Sequence, residues 1–215
     1  MIKNLYSGIF FTFVFFFYFL YLSNFDLKIN NKRDKKLINK NIQFLGNPKE
    51  NNIYRSFMSN HSHLDLTHLI SNIIGINIIS FLISDLFNWY YPLILFFFTI
   101  IIEHIFVELK NLDKSKVIGA SGSILGLFGF YFFYLLFNIN NFNNFSIIHQ
   151  YSFFLNIIIL INIIVEFKKN SKDNNDRNKD GDTSEISHLI GFSLGFINFI
   201  LFFLSNYFIK LKFLI

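Results

Sequence analysis

Apolar residues run in long unbroken blocks along this chain, without the three-and-four spacing that would leave a helix one polar face. A bilayer hydrocarbon core of about 30 Å takes roughly 20 apolar residues in helical form. Six stretches meet that length: about 4–24, 66–84, 86–107, 117–137, 146–165 and 186–208. The pattern predicts an all-α membrane protein, a compact bundle of six transmembrane helices in a single domain over 1–215 with a long first loop at 26–62. The longest polar segment, from about Asp26 to Asn60, is too short to build a second domain.

Composition narrows this further. Thirty-three phenylalanines and a mean hydropathy of +0.42 fit a chain whose surface meets lipid. The absence of cysteine excludes disulfides and thiolate chemistry. The first apolar run follows Lys3 as a signal peptide would. It is longer than a signal core and lacks a small-residue cleavage site, so a retained helix is expected. Asparagine runs are polar enough to serve as loops.

Charge is distributed unevenly. Of 19 Lys and Arg residues, all but Lys3, Lys210 and Lys212 fall in the loops at 26–62, 108–116 and 166–185 when six spans are counted. By the positive-inside tendency those loops would be cytoplasmic.

Polar residues inside apolar blocks are costly in lipid, so each calls for a reason. In the second block His68 and Asn72 stand four apart, on one helical face. Two neutral donors aimed at one spot suit a developing oxyanion, and hydrogen bonding between helices is the plainer alternative. In the fourth block Gly122, Gly126 and Gly129 form a flat stripe with Ser121 beside it. In the sixth, His188, Gly191 and Gly195 repeat the device. Two such stripes facing one another would bring the imidazole against the hydroxyl, a nucleophile and its base. A hydroxyl bonded to its own helix and a satisfied interior histidine are the simpler readings of each residue alone.

These residues resemble the rhomboid intramembrane serine proteases. The resemblance rests on Gly119-Ala120-Ser121-Gly122, on His63, His68 and Asn72, and on His188 followed by Gly191 and Gly195. Tyr54-Arg55, eight residues before His63, looks like the family's Trp-Arg pair. The resemblance covers about 54–200 and implies a rhomboid-like bundle with a Ser121–His188 dyad. It further implies an oxyanion held by His68, Asn72 and the Ser121 N–H, and supporting roles for His63 and Arg55. Where the family often has an aromatic residue four positions after the serine, this chain has Leu125. Glu185, three residues before His188, reads as part of a helix start with Asp182 at the cap.

The expected function is therefore cleavage of transmembrane segments of membrane proteins by an intramembrane serine endopeptidase. The implied substrates are single-pass proteins in the lipid bilayer, and the protein is expected in the cell membrane as a multi-pass protein. A catalytically inactive rhomboid-like protein that binds membrane clients is the alternative. A transporter would show paired charges or broken helices, and only Glu103 and Glu166 lie near span ends. No cofactor, metal or nucleic-acid partner is expected. His61, His63, Asp65 and His68 are dense, yet no His-Glu-x-x-His string occurs, and Asp176–Asp182 copies only half of a calcium loop.

The resemblance implies cytoplasmic termini and a site opening outward, the reverse of what the basic loops suggest, and the family orientation is the one expected. The chain has no cysteine of its own, so Asn178→Cys gives a clean reporter. A membrane-impermeant maleimide is expected to label it in intact cells. Labelling only after permeabilisation would reverse the orientation.

Overall fold

The computed structural model describes residues 2–22, 57, 60, 61, 63, 66–109, 120–172 and 185–212, and among these the only regular secondary structure is helix. After a short 3-10 turn, Ile2–Leu5, come α1 (Tyr6–Leu22), α2 (Leu66–Leu86), α3 (Tyr91–Leu109), α4 (Ser121–Phe137), α5 (Ile147–Lys172) and α6 (Glu185–Lys212). Four stretches are long and apolar enough to cross a membrane: Lys3–Tyr21, Leu66–Leu86, Ile147–Val165 and His188–Ser205. Tyr91–Ile105 and Ser121–Phe137 are shorter apolar helices.

Boundaries differ from the apolar blocks where local chemistry intervenes. The third helix begins at Tyr91 rather than 86. Asn88 accepts the Tyr91 N–H at 3.0 Å in a turn, and Pro92 is tolerated only in a first helical turn. The fifth continues to Lys172, past the last apolar residue of its block, because Lys and Asn do not by themselves end a helix.

The bundle inverts the soluble rule. Phe13, Phe17, Ile74, Ile94, Phe154 and Ile158 point outward, as lipid-facing side chains do. Ser80, Ser84, Thr99, Asn156 and Asn198 are buried between helices, and the hydroxyl of Thr99 and the amide N–H groups of Asn156 and Asn198 find protein partners there. Asn198 donates to Thr99 Oγ1 at 2.8 Å, tying α6 to α3, and Asn77 donates to Thr12 Oγ1 at 2.7 Å, tying α2 to α1. A longer polar chain closes the end where α2 stops and α5 starts. The Tyr131 hydroxyl lies 2.7 Å from His149 Nδ1 and 2.6 Å from Ser152 Oγ, while His149 Nε2 faces Asp85 at 3.2 Å. Asn4 donates to the other Asp85 oxygen at 2.9 Å.

Helix α4 occupies the centre, buried on almost every side, with its most extensive packing against α6. That contact is backbone against backbone. A Cβ on Gly191 would run into the Gly122 carbonyl, with the Gly122 carbonyl carbon only 2.7 Å away. One on Gly195 would reach 2.6 Å from the Gly129 carbonyl carbon, and one on Gly129 would strike the Phe192 carbonyl. Pairing runs start to start, Gly122 with Gly191 and then Gly129 with Gly195, so α4 and α6 are parallel.

Gly191→Ala is accordingly expected to push the helices apart at their N-terminal ends. A cost of about 1–3 kcal/mol, typical of overpacking, should appear as a lower midpoint of thermal unfolding in detergent. An unchanged midpoint would mean the two helices can separate freely.

Candidate active site

Ser121 is the first residue of α4. Ala120 precedes it with φ −75° and ψ −4° and offers no side-chain cap, while the Ile124 N–H closes the first turn on the Ala120 carbonyl at 2.8 Å. The N–H groups of a first turn have no acceptor inside their own helix. The start of α4 therefore presents donors beside a hydroxyl.

One turn before the glycine contact, α6 carries His188. Its Nε2 lies 3.0 Å from Ser121 Oγ, both side chains half-buried. In the tautomer with a bare Nε2, the serine hydroxyl donates to the imidazole. The parallel glycine stripes thus set the two groups at the same level. Leu125, one turn further along α4, packs against the apolar core.

From α2, Asn72 is buried, and its Nδ2 donor reaches no hydrogen-bond partner. His68, one turn earlier on that helix, is half-buried, and its ring stands 5.3 Å from the ring of His63. His63 is fully buried just ahead of α2, against Phe15 of α1 at 5.3 Å between rings. The sequence-based candidates Ser121, His188 and Gly122, Gly126, Gly191 and Gly195 thus come together at the N-terminal ends of α4 and α6. Arg55, Gly119, Asp65 and Asp182 lie outside the described residues, and Glu185 is the first residue of α6.

Two buried residues went unnoticed in the sequence. Ser123 Oγ donates to Asn60 Oδ1 at 2.7 Å, joining the first turn of α4 to the segment ahead of α2. The only hint was a second serine in Ser121-Gly122-Ser123. His61, one candidate for a metal site, is engaged otherwise, its Nδ1 2.7 Å from the Phe57 carbonyl. Among the described residues no three imidazole or carboxylate side chains converge as a metal site would require.

The position of α4 also matters. Its 17 residues span about 25 Å at 1.5 Å each, less than the roughly 30 Å hydrocarbon core. The far end runs into the polar turn Ile139–Asn144, which belongs at the water boundary. With that turn at the water boundary, the shortfall would fall at the Ser121 end.

Compared with known proteins, residues 50–205 match the family model of the Rhomboid domain. No curated protein and no solved structure matches.

His63 adds a titration to this end of the bundle. Burial above all, with the neighbouring His68 charge adding to it, pushes its pKa down from 6.5 to about 3. The fold keeps this imidazole neutral, while the unfolded chain protonates it near 6.5. Stability is complete above that value and is lost as pH falls from 6.5 toward 3, by on the order of a few kcal/mol. In His63→Leu the unfolding midpoint in detergent is expected to vary less over this window. An equally steep dependence would assign the acid sensitivity to another group.

Proposed function

The chain belongs to the rhomboid family, and on that premise we propose that it is an active intramembrane serine endopeptidase. Members of the family are typically intramembrane proteases acting on membrane proteins, and inactive members exist. The observation that carries the reading is the 3.0 Å approach of His188 Nε2 to Ser121 Oγ.

In this reading His188 takes the Ser121 proton as the oxygen attacks a substrate carbonyl. The carbonyl oxygen becomes an anion. Asn72 Nδ2, a buried donor with no partner, suits that charge, together with the His68 ring and the Ser121 N–H. Collapse of the adduct breaks the C–N bond, and His188 returns the proton to the leaving amine. Water then hydrolyses the acyl-enzyme by the same steps in reverse order. The glycine contact that holds α6 against α4 also orients the imidazole.

A peptide bond inside a helix has its carbonyl already bonded, so a transmembrane substrate must unwind before Ser121 can attack. Single-pass proteins of the cell membrane with small or helix-breaking residues near this face are the proposed substrates. The open start of α4, below the surface and beside polar side chains, suits a wet cavity.

Purified protein in liposomes is to be incubated with a panel of transmembrane substrates and, separately, with a fluorophosphonate probe. Ser121→Ala and His188→Ala are expected to lower cleavage by about 10⁴-fold or more, and Asn72→Ala to lower kcat by about 10²–10³-fold. Only protein with Ser121 should take the probe. Cleavage surviving Ser121→Ala would sink the mechanism, and clients bound intact across the panel would make the protein an inactive binder.

A further inference from the structure

The proposed chemistry requires the nucleophile and the oxyanion donors to keep a fixed separation, yet they sit on different segments of chain. Ser121 begins α4, and His68 and Asn72 belong to α2. Ser123 and Asn60 lie between the two. Both are buried, and the serine hydroxyl donates to the Asn60 amide oxygen at 2.7 Å. Successive helical residues turn by about 100°, so Ser123 points roughly opposite to Ser121, toward the α2 side. The bond therefore grips the nucleophile's helical turn from behind while Ser121 faces His188.

The neighbouring described residues do not set where this turn starts. Ala120 cannot cap it, and Gly122 brings no side chain to hold it. Asn60 adjoins His61, whose ring nitrogen lies 2.7 Å from the Phe57 carbonyl, and the ring packs on Phe57 at 4.3 Å and on Phe15 at 5.6 Å. The amide that receives the Ser123 hydroxyl is thus anchored in a turn packed against α1. A bond with both ends buried and one end held is suited to fixing a helix start at sub-ångström tolerance.

We propose that Asn60 and Ser123 are positioning residues for the reaction, setting the first turn of α4, and with it the Ser121 Oγ and N–H, against the donors of α2. The inference rests on the serine-protease reading above. Neither side chain touches the reacting atoms. Their loss moves the nucleophile without removing any group from the chemistry.

The test compares wild type with Asn60→Ala, Ser123→Ala, the double variant and Ser123→Thr in liposomes. Each is measured for kcat, KM, rate of fluorophosphonate labelling and thermal unfolding, with rates referred to folded protein. Asn60→Ala is the milder change, because the freed Ser123 hydroxyl can turn to a carbonyl of its own helix. Each alanine variant is expected to lose roughly 10- to 100-fold in kcat and labelling rate, the loss that follows an error of about 1 Å. KM should stay within about twofold, since substrate binding is untouched. The double variant should be no slower than the slower single one, as expected of partners in one interaction. Ser123→Thr keeps the hydroxyl and should recover most of the rate. Wild-type rates in the folded alanine variants, losses that multiply in the double variant, or no recovery with threonine would overturn the inference while leaving the protease reading standing. A wild type that neither cleaves nor takes the probe would overturn both.

Discussion

The close approach of α4 to α6 is the constraint on which the rest of this molecule depends. Helices normally pack with 8–10 Å between axes because side chains intervene, and here the contacting groups are backbone atoms of Gly122, Gly126, Gly129, Gly191 and Gly195. In lipid no hydrophobic force drives helices together, so dense packing of small residues supplies the attraction. The contact also sets direction and register. Parallel, start-to-start pairing of the stripes leaves Ser121 just before, and His188 one turn before, the first pair, with their side chains in contact. An imidazole carried by a helix seated this tightly is oriented without an aromatic side chain at the position of Leu125.

Polar bonds add what glycine contacts cannot. Thr99–Asn198 and Thr12–Asn77 cross between helices at mid-bundle, each worth on the order of 1 kcal/mol in a membrane interior. Tyr131 fixes α4 to α5 through His149 and Ser152, about 15 Å along the helix from Ser121. Asp85 joins that cluster to α2, and Asn4 joins it to the N-terminal turn. The central helix is thus held at one end by a side-chain network and at the other by Asn60. Its middle is held by glycine. A helix pinned in this way cannot slide, and sliding is the motion that would separate Ser121 from His188.

Much of this was legible in the sequence, for definite reasons. Apolar blocks announce helices because lipid leaves the backbone no other way to satisfy itself. Glycines at three-and-four spacing announce a close contact, and polar residues beside them announce its use. The start of α3 was misread because an apolar block does not register a turn, and only Asn88 and Pro92 mark it. Asn60–Ser123 and Asp85–His149 were invisible for another reason. Their partners stand 63 and 64 residues apart, and neither serine nor asparagine has a periodicity that points to its mate. Asn72 was chosen for its spacing from His68, whereas its unpartnered donor is a property that only the folded chain has.

A buried donor without an acceptor costs roughly 1–3 kcal/mol, and a sequence free to vary would fill that position with leucine at no loss to packing. Asn72 Nδ2 bears this cost on α2, and the first-turn N–H groups of α4 have no acceptor within their own helix. The serine-protease reading supplies an acceptor that is present only during the reaction. On the proposed reading, that acceptor is the oxyanion of the tetrahedral adduct on Ser121, and the instability stored at the resting site is released when the charge forms. On that reading, donors facing lipid would be intolerable, donors facing bulk water would already be satisfied, and a helix start recessed in the bundle would be neither.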